Sequence, residues 1–443
     1  MRMEEYLKTL LEQIRCKKAH ASIYHELKNH IEEQMEENEA QGMNKEDALK
    51  ETLQDMGDPV QIGVEMDQIH RPQIAWKLIL GVGILTLFSI VVQYLITKNL
   101  PQRDNVDIFQ HHIFNAILSF LAMIAIYRID YSLIGKYVKW IATAFLLFTA
   151  FQIFVINYRI NGMLFMRVFS QPFTISPFFF LYVPVFGAIL YQYRGKNWRA
   201  LPKIFIWMTL PLFLTLQLPN LGLTVSLFFM LAGLLTIAIW KEWFAIPKKK
   251  FLAAFWGISF LSPIALVVML IQSGNLAAYQ IERIRTSFDG TGGNYVQQTL
   301  HYTIQNCTFI GESGNKSMFL EGGNSSYPLS ILAAYYGIFI TLVVLLLLFL
   351  FIRKIFQISS SQKNQLGMMM GYGCGMVFCV SAFWNMIITT GLIPPTYTFL
   401  PIFSYGGTTM LVSYILLGIV LSIYRYKNIL SDTYQYKKNW DIA

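Results

Sequence analysis

Gly391-Leu392-Ile393-Pro394-Pro395-Thr396, followed by Leu400-Pro401-Ile402-Phe403-Ser404-Tyr405-Gly406-Gly407-Thr408-Thr409, joins two long apolar segments near the C-terminus. Prolines, a glycine pair and a row of hydroxyls stand where a tight connection between membrane helices would lie. Irregular backbone at membrane depth is tolerated only against other protein or a wet cavity, because lipid offers no partners to its N–H and C=O groups. The segment is therefore expected to line something. Pro394, Pro395 and Pro401 keep nearby backbone out of regular helical bonding, and Ser404, Thr408 and Thr409 present hydroxyls. The competing reading is structural: Gly406 and Gly407 allow close helix packing, and the hydroxyls bond to helix backbone.

Outward from this stretch, the composition is that of a polytopic membrane protein. Of 443 residues, 54% are apolar, 15% aromatic and 14% charged, against roughly a quarter charged in soluble domains. The net charge of +9 comes from Lys and Arg clustered between apolar segments. That is the positive-inside pattern rather than a nucleic-acid footprint. Cys16, Cys307, Cys374 and Cys379 have no metal-ligand or redox spacing, and His111-His112 has no evident third metal ligand. Neither a P-loop nor a Rossmann fingerprint occurs. The first 70 residues are polar and charged, so no cleavable signal peptide is expected.

Residues 1–72 read as a small soluble helical bundle. Leu7, Leu10, Leu11 and Ile14 recur at helical spacing, as do Ile23, Leu27, Ile31 and Met35, and then Ala48, Leu49 and Leu53. Asn44-Lys45-Glu46-Asp47 reads as an N-cap with first-turn acids, and Gly57-Asp58-Pro59 as a helix stop. From Ile74 onward about ten spans are expected, near 74–97, 112–128, 135–156, 173–192, 201–217, 221–240, 251–272, 328–352, 366–390 and 406–425. Basic clusters at Arg128 to Lys139, Arg194 to Lys203, Lys241 to Lys250, Arg353 to Lys363 and Arg425 to Lys438 would be cytoplasmic, with both termini. The expected architecture is thus all-α: a helical bundle (1–72), a ten-helix membrane domain (73–430) with a large external loop at about 273–327, and a tail (431–443). A loop of that length usually has a task.

The C-terminal stretch resembles the signature of the SEDS family, the FtsW, RodA and SpoVE group of cell-wall glycosyltransferases, which reads roughly GLLPxTGxxLPFxSYGGSS. Asn385 after Phe383-Trp384 matches the family's F-x-N step, and Arg283-Ile284 with Phe288 resembles R-I-x-x-F with one residue more before the Phe. Tyr295, Gln298 and Leu300 loosely match Y-Q-x-x-Q-S-L. Pro172 to Pro177 resembles P-F-x-I-Q-P-S-E, and Pro219 to Gly222 resembles P-D-L-G. The first helices resemble permease-prefix (HAAS-like) domains, through Gly42 to Ala48 and Asp55 to Pro59. They are read either as a passive tail or as a docking site for a cytoplasmic regulator.

The resemblance implies a bacterial cytoplasmic-membrane protein acting on lipid II or another undecaprenyl-linked substrate, with a class B penicillin-binding protein as partner. In that chemistry a carboxylate takes the proton of the acceptor hydroxyl. Cationic groups or a divalent cation stabilise the pyrophosphate leaving group. No resident cofactor is expected. Here the sequence departs from the pattern. Anchored on Gly337, the family's catalytic Asp falls on Ser326, and two family Glu positions fall on Ala334 and Tyr335. The Glu of P-S-E falls on Phe179 and the Asp of P-D-L-G on Asn220. Glu321 is the candidate substitute base; the other reading makes it, Glu312 and Asp289 solvated loop charges. Arg283 and Lys316 are candidate pyrophosphate contacts, or snorkelling interfacial cations. Asn385, Pro401, Ser404, Tyr405, Gly406, Gly407 and Thr408 complete the expected substrate groove. Three functions stay open at this level: a glycosyltransferase, a non-catalytic precursor-binding or regulatory scaffold, and a flippase of a lipid-linked sugar. Missing intramembrane acids count against a proton-coupled version of the last.

Overall fold

The computed structural model describes residues 2–99, 105–160, 163–168, 171–218, 220–272, 295–313, 323–393, 395–396 and 398–427. The chain begins with helices α1 (Met3–Glu12), α2 (Lys17–Ala40), α3 (Lys45–Met56) and α4 (Pro59–His70). Their apolar stripes meet: Tyr6, Leu7, Leu10, Ile14, Ile23 and Ile31 are buried, with α1 against α4 and α2 against α3. Asn44 caps α3 by accepting from the Asp47 N–H at 2.9 Å. Asp58 caps α4 by accepting from the Gln61 N–H at 3.3 Å. Pro59 follows in the first turn, where its missing N–H costs nothing. Gly63 lets α4 lie on the end of α1, since a Cβ there would stand 2.6 Å from the Leu10 carbonyl oxygen.

The membrane part runs α5 (Trp76–Lys98), α6 (Asn105–Arg128), α7 (Tyr131–Lys136), α8 (Val138–Phe151), α9 (Tyr182–Gln192), α10 (Leu201–Leu216), α11 (Leu221–Trp240), α12 (Lys248–Gln272), α13 (Tyr295–Asn306), α14 (Pro328–Tyr336), α15 (Ile338–Ser360), α16 (Gln365–Thr389) and α17 (Gly407–Arg425). Among the described residues, eight helices are long and apolar enough to cross a bilayer, and Ser176–Gln192 is a shorter apolar one. Together with the 25-residue α12, they stand where the apolar runs were read. The protein is an all-α, multi-pass membrane protein.

The expected span 328–352 is corrected. It breaks at Gly337, whose φ of 89° and ψ of 169° separate α14 from α15. A left-handed φ of this kind favours glycine. A Cβ at Gly337 would also stand 2.7 Å from the Phe309 carbonyl oxygen. The span expected at 173–192 is also shorter than read. It opens with a strand and a 3-10 turn (Ser176–Leu181) before α9. That strand, β3 (Gln171–Thr174), pairs antiparallel with β2 (Met163–Val168), and β2 pairs with β1 (Arg159–Ile160). The described residues of the long loop at 273–327 include α13 and a turn, Gly323–Ser326.

α17 packs along α6, and α16 packs along α9, α11 and α15. Small residues let the backbones of α9 and α16 approach. A Cβ at Gly187 would lie 2.8 Å from the Met369 carbonyl oxygen, and one at Gly373 would lie 2.9 Å from Pro184 Cα. At one end of the bundle, Gln73 N–H donates to the Arg425 carbonyl at 3.0 Å. Tyr131 N–H donates to Ser422 Oγ at 3.2 Å, and Gly195 N–H to the Trp243 carbonyl at 2.9 Å. The basic connections converge at this end, and α1–α4 sit there too. The opposite end carries α13, α14 and the 390–406 connection.

Candidate functional site

The 390–406 connection folds back against the membrane helices. Ser404 Oγ accepts from the Leu400 N–H at 2.6 Å, while the Ser404 N–H donates to the Leu400 carbonyl at 2.9 Å. This closed turn holds Ile402 at a left-handed φ of 72°, which an L side chain rarely adopts. Two carbonyls left over by the turn are taken up by α5. Ser89 Oγ donates to the Ile402 carbonyl at 2.7 Å, and Gln93 Nε2 donates to the Phe403 carbonyl at 2.6 Å. Ser89 and Gln93 are four apart, so one helix face supplies both donors. Irregular backbone at this depth is tolerated for that reason.

The turn Gly323–Ser326 is pinned into the same place from three sides. The Asn324 carbonyl accepts from Gln93 Nε2 at 3.2 Å and from the Tyr405 N–H at 3.1 Å. The Ser326 carbonyl accepts from Asn385 Nδ2 at 2.8 Å, which also donates to Thr398 Oγ1 at 3.2 Å. Asn385 is fully buried. Burial pushes the neighbouring Tyr327 phenol above its ordinary range, so it stays neutral. His112 of α6 is buried, 3.5 Å from Ser89 Oγ through Nε2, and its ring lies 6.2 Å from that of Tyr405.

Of the residues singled out in the sequence, Ser326, Asn385, Ser404 and Tyr405 come together here. Pro401 and Thr408 are buried beside them. Gly406 begins α17 at φ 151°. Gly407 is pressed on α6, where a Cβ would meet Asn115 Oδ1 at 3.1 Å. The Ser404 hydroxyl is used by its own turn. Arg283, Lys316 and Glu321 lie outside the described residues. Sequence reasoning missed Ser89, Gln93, His112 and Thr398; the signal was the polar series Ser89, Gln93, Thr97 in an otherwise apolar helix.

Oε1 of Gln93, Nδ1 of His112 and Oδ1 of Asn385 are buried with no hydrogen-bond partner among the described residues. Such groups cost free energy unless something pairs with them. The site is therefore rich in hydroxyls, amides and backbone dipoles. Of the described acids of the membrane part, Asp107, Glu242 and Glu312 are exposed, and Asp130, at the far end of α6, accepts from Ser132 Oγ at 2.6 Å. Among the described residues, no group of three or more His, Cys, Asp or Glu could hold a metal ion.

Residues 72–429 match the FtsW/RodA/SpoVE family, described as cell cycle protein. The chain belongs to this family. The match takes in the whole described membrane part and begins just past α4. A probable peptidoglycan glycosyltransferase FtsW of Trichlorobacter lovleyi is 24% identical over 368 residues, covering 78% of this chain and 92% of that one. Another from Enterococcus hirae is 33% identical over 192 residues, covering 40% of this chain and 48% of the other, about half its length. The fold is shared with a chain solved in work described as structural coordination of polymerization and crosslinking by a peptidoglycan synthase complex, at TM-score 0.64 and 20% identity over 80% of this chain and 98% of that one. Thermus thermophilus rod shape determining protein RodA superposes at TM-score 0.55 and 16% identity over 80% and 97% of the two chains.

Proposed function

We propose that this member of the FtsW/RodA/SpoVE family handles lipid II, or another undecaprenyl-linked cell-wall precursor, at a site that lacks the carboxylate base of its relatives. The observation that carries this reading is the setting of Ser326. Its turn is held by Asn385, Gln93 and Tyr405, and alignment on Gly337 puts the family's catalytic Asp at that serine. Polymerisation requires the acceptor hydroxyl to lose its proton as it attacks the anomeric carbon and undecaprenyl pyrophosphate departs. A serine hydroxyl does not hold a negative charge at neutral pH and is a poor general base. Buried amides, hydroxyls and backbone dipoles suit binding of a sugar–pyrophosphate headgroup. Arg283, Lys316 or a divalent cation would meet the pyrophosphate charge. The reading is of precursor binding or regulation within cell-wall synthesis.

Both termini are assigned to the cytoplasm, because the basic connections gather at the end where α1–α4 sit. A class B penicillin-binding protein is the proposed partner, in keeping with the synthase complex whose fold this chain shares. Helices α1–α4, outside the family match, are proposed to receive a cytoplasmic regulator.

The test is glycan polymerisation from labelled lipid II by the purified protein, with and without a penicillin-binding partner. Wild type is expected to make no polymer, and Ser326→Asp to gain some. Polymer from wild type that vanishes in Glu321→Ala would instead identify an enzyme with a displaced base and overturn the non-catalytic reading.

A further inference from the structure

At the end of the bundle away from Ser326, a cavity of about 660 Å³ opens between the N-terminal helices and the membrane helices. Four arginines line it: Arg15 and Arg71 from the N-terminal side, Arg128 and Arg425 from the membrane side. They come from four separate places in the chain. Arg15 follows α1, Arg71 follows α4, Arg128 is the last residue of α6 and Arg425 the last of α17.

Two explanations compete for such a cluster. Cations are favoured at helix C-termini, and four helices end here. That accounts for part of the charge. A helix end carries about half an elementary negative charge, so four of them offset only about half of four arginines. Asp67 offsets one more, through a 2.7 Å contact with the Arg15 guanidinium. A net positive charge remains, and bringing arginines together across an interface costs free energy unless an anion joins them.

Two of the guanidiniums, those of Arg15 and Arg425, are also held in place. Arg15 donates to Asp67 through both Nε, at 3.0 Å, and Nη2. Arg425 lies over the Tyr127 ring at 5.2 Å and the Tyr426 ring at 5.5 Å. The linker between the two halves is fixed by the Gln73 N–H on the Arg425 carbonyl. Planar, fixed guanidiniums match phosphate oxygens in paired hydrogen bonds. Ile74, also in the lining, stands two residues before the first membrane helix and is half exposed. Trp76, two residues on, is 68% exposed, as tryptophans at the headgroup level of a bilayer are.

We propose that this cavity binds a phosphate-bearing anion, and that its place beside the exposed Trp76 suits the headgroup of an anionic membrane lipid. The bound phosphate bridges Arg71 and Arg128 and so ties the N-terminal helices to the membrane helices. Changes in those helices would then be coupled to the lipid composition of the leaflet they face.

The test uses the purified full chain in a neutral detergent. Native mass spectrometry counts bound phosphatidylglycerol and phosphatidylcholine, and a separate arm titrates inorganic phosphate as competitor. Deuterium exchange is followed over residues 67–76. Retention of phosphatidylglycerol over phosphatidylcholine is expected, with slowed exchange at Gln73. The Arg71→Gln/Arg128→Gln double variant, whose side chains are exposed, is expected to lose at least tenfold in occupancy. Displacement by inorganic phosphate with no retained lipid would keep the anion site and make its ligand a free phosphate. Wild type that neither prefers phosphatidylglycerol nor responds to phosphate would overturn the proposal. So would lipid retention that is unchanged in the double variant.

Discussion

The side-chain amide of Asn385 donates to the backbone carbonyl of Ser326 at 2.8 Å, joining the C-terminal turns of a membrane helix to a turn 59 residues earlier in the chain. Its second N–H goes to Thr398. One buried amide thus fixes both the turn that carries Ser326 and the loop that closes over it. An asparagine inside a membrane helix is costly, and here the cost is offset by two acceptors that lipid could not satisfy.

Asn385→Leu should therefore destabilise the protein by about 1–3 kcal/mol, the penalty of leaving a buried carbonyl unpaired. Thermal unfolding in detergent reads the loss. Exchange of amides around 323–327 should quicken more than exchange in α2, which packs on α1 and α3. Equal quickening in both would contradict a local role.

Gln93 is the second pin. It donates to the carbonyls of Asn324 and Phe403 from α5; Gln93→Leu orphans the Phe403 carbonyl, while that of Asn324 keeps the Tyr405 N–H. The expected loss is again about 1–3 kcal/mol for the carbonyl left unpaired. A Ser89→Ala/Gln93→Leu pair should fall short of additivity, because both residues hold the same 402–403 turn. A double-mutant cycle on unfolding free energy measures this. Strict additivity would show that the two donors act independently.

Much of the fold was legible because long apolar runs leave little choice: a stretch such as Ile338–Ser360 must satisfy its backbone internally and becomes a helix. The sequence reading failed where composition was the wrong guide. Pro328 to Tyr336 is as apolar as the helix after it, and the break depends on one glycine whose φ is set by the approach of Phe309. The small sheet was missed although Asn161-Gly162, between paired Ile160 and Met163, is a hairpin dipeptide. At the site, the Gly/Pro/Ser frame was readable from residues 391–409. Gln93 and His112 were not, since a polar residue in a distant helix gives no sign of which loop it will meet.

The N-terminal helices carry an acid-sensitive contact. Arg15, through its hydrogen bond, holds the Asp67 carboxyl below the ordinary carboxylate range although burial opposes this. A depressed folded pKa contributes stability that is present above the unfolded value of about 3.9. It is lost as the pH falls through the folded value. The α1–α4 contact should hold at pH 4.5 and weaken below about pH 4. Pepsin nicking near Arg15, normalised to an unstructured peptide, checks it. Asp67→Asn should be nicked across the whole range, and a variant as resistant as wild type would remove Asp67 from the account.

The crossing of α9 and α16 makes the sharpest steric prediction. A Cβ on Gly187 would stand 2.8 Å from the Met369 carbonyl oxygen and 3.1 Å from its carbon. Both are backbone atoms inside a helix and cannot swing aside. Gly187→Val must therefore push the helices apart, at a cost of about 1–3 kcal/mol for overpacking, occasionally more. Gly233→Ala meets only the flexible end of Met376, with Cε at 2.7 Å, and should cost less because that side chain can turn away. The two variants, melted side by side in the same detergent, should rank in that order. If Gly233→Ala proved the more damaging, close backbone approach would not be what sets the spacing of these helices.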